Sequence, residues 1–140
     1  VERAHNMEYV DLETLLRESD YVSLHCPLTP ETKHLIGRRE LENMKSTAIL
    51  INTARGPVVD ETALVQALQQ KVIYGAGLDV FEDEPALKPG LAQLSNVVLA
   101  PHIASAGVET RSKMVEMVVR DVLAALEGRR PQNVVNQEIL

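Results

Sequence analysis

The sequence predicts an α/β domain built on a mainly parallel sheet. Three observations predict it. Short apolar runs alternate along the chain with stretches whose apolar residues recur at helical spacing. The runs end at Pro, Gly or polar turns, as strands do. The chain has 140 residues, of which 45% are apolar, enough for one core. No internal repeat or low-complexity tract interrupts the pattern.

The elements follow in order. Leu12, Leu15 and Leu16 stand at i, i+3 and i+4, which predicts a helix. Asp20 to His25 reads as a strand stopped near Pro27. Thr29-Pro30-Glu31-Thr32 has the layout of a helix start, with Thr as cap, Pro first and an acid in the first turn. Gly37 is placed to end that short helix. Thr47 to Ile51 is apolar without a break after Thr47, which predicts a strand buried on both faces. Asp60 caps a helix whose stripe is Ala63, Leu64, Ala67 and Leu68. Ile73 to Val80 is a third strand, with Gly75 and Gly77 where backbones approach closely. Asn96 to Ala100 is a fourth, ended by Pro101. Val108 to Leu126 is a long helix with Val115, Val118, Val119, Val122 and Leu126 on one face. At about 1.5 Å per residue it spans nearly 30 Å, enough to cross between two lobes. The tail from Gly128 to Leu140 is polar and interrupted by Pro.

Composition removes several classes. The 14 Lys+Arg against 20 Asp+Glu give a net charge of -6, so no surplus of cations exists to neutralise phosphates. A nucleic-acid partner is therefore not expected. The aromatic residues are only Tyr9, Tyr21, Tyr74 and Phe81, which argues against stacking platforms. The single cysteine, Cys26, excludes an intrachain disulfide and fits a reducing, cytoplasmic setting. No apolar run reaches the ~18 residues of a membrane-spanning helix. The chain starts Val-Glu-Arg-Ala, with neither an initiator Met nor a signal-peptide layout, and is expected to be a fragment.

In open parallel sheets, ligands bind beyond the carboxyl ends of the strands. Those ends carry His25-Cys26-Pro27, Asn52-Thr53-Ala54-Arg55-Gly56, Asp79 and Pro101-His102. Arg55 follows a buried strand between small neighbours, and a guanidinium grips a carboxylate with two parallel hydrogen bonds. An Arg in a turn is about as often a plain surface cation. Asp79 to Pro85 packs Asp79, Glu82, Asp83 and Glu84 together. Most such runs are solvated loops, but this one leaves a Gly-containing buried strand, with Asp79 facing the crevice. One acid beyond Asp79 is expected near His102. A carboxylate beside a His fixes its tautomer and favours its protonated form, making it a proton donor to a carbonyl. His5 and His34 have no such setting and are assigned no role. No HxxxH or CxxC spacing exists, so no metal site is expected. The residues alone thus imply protonation of a carbonyl on a carboxylate-bearing substrate.

Leu-His-Cys-Pro-Leu-Thr-Pro-Glu-Thr (24–32), Asn-Thr-Ala-Arg-Gly (52–56), Gly-Leu-Asp-Val-Phe-Glu-Asp-Glu-Pro (77–85) and Pro-His-Ile-Ala-Ser (101–105) resemble the D-isomer-specific 2-hydroxyacid dehydrogenase family. Four blocks in this order are far more specific than a lone GxGxxG. Within the family, Ser105 through Thr110-Arg111 and the Val-Asn-Gln-Glu-Ile-Leu tail are most similar to the glyoxylate/hydroxypyruvate reductases. The resemblance implies a partial Rossmann-like, doubly wound parallel sheet over residues 1–105. Residues 106–140 are then a return helix and tail toward a substrate domain.

By the same resemblance Arg55 holds a small 2-keto acid, His102 protonates its carbonyl oxygen as hydride arrives, and Glu84, not Glu82, pairs with His102. Cys26, Pro27, Thr32, Thr53, Ala54, Arg55, Asp79, His102 and Ala104 line the cofactor, NAD or NADP. The full-length protein is expected to be a homodimer. The family's Gly-rich pyrophosphate loop is not found here, since Gly75 and Gly77 lie on a strand and form no GxGxxG. The 140 residues alone are therefore expected to be inactive. A nicotinamide-sensing corepressor of the same fold is the alternative, and the short tail argues against it.

Overall fold

The computed structural model describes residues 7–139. The chain divides into two compact units, the first running to His102 and the second starting at Ile103.

In the first unit β1 (Tyr21–Leu24), β2 (Ile49–Asn52), β3 (Gly75–Leu78) and β4 (Val97–Leu99) lie side by side in chain order, all parallel. Parallel neighbours require crossovers. Helix α1 (Leu12–Glu18) precedes β1, α2 (Arg38–Asn43) joins β1 to β2, and α3 (Glu61–Gln69) joins β2 to β3. The β3–β4 connection is the acidic loop followed by a 3-10 turn at Leu91–Gln93. Local chemistry sets the helix starts. Asp11 Oδ1 accepts from the Thr14 N–H at 2.8 Å, and Asp60 Oδ1 from the Ala63 N–H at 3.0 Å.

Two rows of the sheet, Val22-Leu50-Ala76-Val97 and Leu24-Asn52-Leu78-Leu99, point to one face. Leu16 of α1, Leu41 of α2, and Leu64 and Leu68 of α3 close over that face and complete the core. The opposite rows are open. Tyr21 is 68% exposed and Val98 73% exposed, with Ile49 and Ile51 half-buried. This corrects the expectation that Thr47–Ile51 is buried on both faces: α1, α2 and α3 all pack on the face lined by Leu50.

Three other local expectations differ from the structure. Residues 30–34 form turns instead of a helix, with Thr29 and Thr32 hydrogen-bonded to each other and His34 in the left-handed region at φ 53. Gly37 starts α2 instead of ending a helix, and its N–H donates to Glu40 Oε2. Gly75 does meet a neighbouring strand, since a Cβ there would come within 2.8 Å of the Asn96 carbonyl. Gly77 faces open space instead.

The second unit is α4 (Val108–Leu126) and the tail. The tail turns at Gly128, whose φ is 71, and folds back on its own helix. There Asp121 accepts from the Gln132 and Asn133 N–H groups and from the Asn133 amide. These bonds, led by the Asn133 side chain, hold the Asp121 carboxyl below its ordinary value. Among the described residues no helix is long and apolar enough to cross a membrane.

Candidate active site

Because Leu24, Asn52, Leu78 and Leu99 share a row, the chain leaves β1 to β4 at one edge of the sheet. Asn52, the last residue of β2, is 1% exposed and shapes the turn after it. Its Oδ1 accepts from the Ala54 N–H and its Nδ2 donates to the Arg55 carbonyl, both at 3.0 Å. This turn lifts Arg55 out of the core into solvent, where Arg55 Nη1 donates to the Ala54 carbonyl at 2.6 Å. Gly56 then packs against the acidic loop. A Cβ on Gly56 would lie 1.8 Å from the Phe81 carbonyl oxygen and 2.5 Å from the Glu82 nitrogen. Only glycine permits that approach, and it ties the Arg55 turn to the loop that carries Glu84.

The loop closes on itself through Glu84. Glu84 Oε1 accepts from the Phe81 N–H at 2.9 Å, and Oε2 meets His102 Nδ1 at 2.9 Å. The His102 hydrogen bond, then that of Phe81, hold the Glu84 carboxyl below its ordinary 4.5, and the Arg55 charge adds to the effect. His102 has φ 54, a left-handed backbone uncommon for a non-glycine residue. Arg55, Glu84 and His102 line one open cleft of about 360 Å³, with Gly56, Pro57, Phe81, Glu82 and Asp83. A larger concavity, about 730 Å³, lies at the amino ends of the strands around Ser46, Tyr74 and Asn96. Its position is the wrong end for a ligand of a parallel sheet.

The other residues singled out from the sequence lie around the same edge, with one exception. Cys26 is half-buried beyond β1, and the Pro27 carbonyl accepts from the Thr32 hydroxyl at 2.7 Å. Thr53 is exposed and Ala54 half-buried after β2. Asp79 follows β3, is 6% exposed, and its N–H donates to the Asn52 carbonyl. Ala104 belongs to the second unit. His5 lies outside the described residues. His34, assigned nothing from sequence, has a carboxylate partner: its Nε2 lies 2.7 Å from Glu82 Oε1. Glu82 is thereby drawn to His34, while Glu84 goes to His102.

Sequence reasoning named Asn52 only as part of its block and gave it no role in shaping the Arg55 turn. Asn52 carried a signal, a polar residue ending an apolar run in phase with its buried positions.

A parallel sheet with a polar cleft at its carboxyl edge puts the chain among the open α/β domains that take a ligand at that edge. Residues 1–104 match the family model described as D-isomer specific 2-hydroxyacid dehydrogenase, NAD binding domain, and the chain belongs to that family. It is 57% identical over 133 residues to a glyoxylate reductase of Thermococcus litoralis, covering 95% of this chain and 40% of that protein. A crystal structure of a Thermus thermophilus protein superposes with a TM-score of 0.88 at 52% identity, covering 92% of this chain and 42% of that one. A glyoxylate reductase structure from Paecilomyes thermophila gives a TM-score of 0.88 at 39% identity, covering 97% and 42%. The chain thus spans well under half the length of the curated relatives it matches.

Proposed function

We propose that this chain supplies the proton donor, the substrate-gripping cation and part of the nicotinamide site of an NAD(P)H-dependent reductase. Its substrate is a small 2-keto acid of the glyoxylate or hydroxypyruvate type, and its product the D-2-hydroxy acid. The observation that carries this reading is the Glu84–His102 pair, Oε2 to Nδ1 at 2.9 Å, in the cleft that Arg55 also lines. The names of its relatives, glyoxylate reductase and glyoxylate/hydroxypyruvate reductase B, support that substrate class.

The residues fit the nicotinamide end of the cofactor. Asp79 is an almost fully buried acid just after β3, its N–H donating to the carbonyl of Asn52 at the end of β2. Cys26, Pro27 and Thr32 after β1, and Thr53, Ala54 and Arg55 after β2, supply the walls. His102 joins them. Bound there, the reduced nicotinamide would supply the hydride. This chain's own groups do the rest. Arg55 holds the substrate carboxylate by two hydrogen bonds. With Nδ1 engaged by Glu84, Nε2 of His102 delivers the proton to the carbonyl oxygen. Glu84, kept ionised by its two donors, stabilises the imidazolium that precedes transfer. The full-length enzyme is assigned to the cytoplasm, where the Cys26 thiol stays reduced, and to a homodimer.

The test is the pH dependence of glyoxylate reduction in the full-length enzyme. His102→Ala should lower kcat by about 10²–10⁴-fold, the usual worth of positioned acid catalysis, with cofactor affinity nearly intact. Glu84→Gln removes the charge that favours the imidazolium. The limb on which reduction falls as pH rises should therefore move to lower pH. In a His102→Ala background Glu84→Gln should add little, because the two act as a unit. An unmoved limb, or losses that multiply fully in the double variant, would overturn the assignment.

A further inference from the structure

The acidic loop is held from beneath by a carboxyl that the proposed reaction does not use. Glu61 is the first residue of α3, directly after its cap Asp60. An acid in that position ordinarily sits in water and complements the helix dipole. Glu61 instead is 2% exposed. Its Oε1 accepts from the Glu82 backbone N–H at 2.7 Å, and its Oε2 has no hydrogen-bond partner. Burying a carboxyl with one oxygen unsatisfied is unfavourable, so its placement calls for a use.

The use lies in what Glu61 grips. The Glu82 N–H is two residues before Glu84, in the segment whose backbone also leans on Gly56. The same segment provides the Phe81 N–H that holds Glu84 Oε1. The Glu82 side chain is engaged elsewhere, by His34 Nε2 at 2.7 Å and Lys88 Nζ at 3.5 Å, while Lys88 also meets Asp83 at 2.6 Å. No side chain other than Glu61 is seen to fix the Glu82 backbone among the described residues.

We propose that Glu61 is a positioning residue: by anchoring the Glu82 backbone it sets the reach of Glu84 to His102. The proposal rests on His102 being the proton donor.

Two substitutions separate reach from charge. Glu61→Gln keeps an oxygen at the same reach and discards the charge. Glu61→Asp keeps the charge and withdraws the oxygen by one methylene. Glu61→Ala removes both and serves as a second withdrawn variant. Each is made in the full-length enzyme, and the pH profile of glyoxylate reduction is read together with thermal denaturation and NADH affinity. Glu61→Gln should keep the parental limb and kcat. Glu61→Asp and Glu61→Ala should move the falling limb to lower pH, as Glu84→Gln does. Their kcat should drop roughly two- to tenfold, the range of one net hydrogen bond, with NADH affinity unchanged. In a Glu84→Gln background neither should move the limb further.

A role confined to the helix dipole predicts the reverse ranking, with Asp tolerated and Gln defective, and that result would overturn the proposal. So would parental limbs in Glu61→Asp and Glu61→Ala beside a moved limb in Glu84→Gln. An unmoved limb in Glu84→Gln itself overturns the proton-donor reading, and this proposal with it.

Discussion

At the scale of single residues, identity and environment were not equally legible in the sequence. Arg55, Glu84 and His102 stand in blocks specific enough to be picked out by pattern. The choice of Glu84 over Glu82 came from the resemblance, and its physical basis appears only in three dimensions, where His34 and Lys88 occupy Glu82. Nothing in the local sequence brings His34 to a residue 48 positions away. Arg55 supports a direct prediction. Arg55→Lys keeps a cation but loses the planar fork, and a hydrogen bond to a charged group contributes about 1.5–3 kcal/mol. In the full-length enzyme kcat/KM for glyoxylate should fall roughly ten- to a hundredfold, and further in Arg55→Ala. Near-parental efficiency in Arg55→Ala would remove Arg55 from the substrate site. Glu61 gives a second prediction, on stability. Burial pushes its carboxyl above the ordinary 4.5, against the opposing Glu82 N–H and Lys88. A group raised in the folded state adds stability below its unfolded value and loses it as pH rises through the folded one. Glu61→Gln carries no such dependence. The variant's melting temperature relative to the parent should therefore be higher at pH 7 than at pH 4. An equal difference at both pH values would show that Glu61 titrates as it does in the unfolded chain.

At the scale of elements, every strand and three of the four α-helices were legible, because each rests on a run or stripe long enough to declare its period. The failures lie between β1 and β2. There Thr29-Pro30-Glu31-Thr32 carries helix-start chemistry, but the segment closes on itself through the Thr29–Thr32 bonds and ends at the left-handed His34. The residues that do form α2, Arg38–Asn43, are mostly polar and bury only Leu41, too little apolar periodicity to read. The close approach of the Arg55 turn and the acidic loop was equally hidden, since a glycine in a sequence does not say what it touches. Gly56→Ala tests that approach. Its Cβ would meet backbone, at 1.8 Å from the Phe81 oxygen. Neither a rotamer change nor a flexible side chain can relieve such a contact. Overpacking of this kind costs about 1–3 kcal/mol, and the displaced loop should carry Glu84 away from His102. The expected outcome is a lower denaturation midpoint together with a lower kcat. A variant of parental stability and activity would mean that the two loops are not held at this distance.

At the scale of the whole molecule, the distribution of apolar surface decides how the chain behaves in water. The first unit has a closed core on one face of its sheet, with Leu50 and Leu64 fully buried. The other face shows Tyr21 and Val98 to solvent. In the second unit the helical stripe legible in the sequence is exposed along its length, with Val115 at 62%, Val118 at 62% and Leu126 at 79%. Single exposed apolar side chains are ordinary on any surface, whereas contiguous patches favour association. A stripe recurring every three or four residues over a 19-residue helix is contiguous by construction. Only Ala124 is buried along α4, so its own tail does little to cover it. The 140-residue chain expressed by itself should therefore self-associate, and do so more readily in sulfate, which strengthens apolar burial. Replacing Val115, Val118 and Val122 together by polar residues should shift the population toward monomer without disturbing the core of the first unit. Multi-angle light scattering reads the mass, and amide exchange at Leu50 and Leu64 reads the core. A monomeric parent chain, or a triple variant that associates as strongly as the parent, would show that the α4 stripe is not what brings copies together.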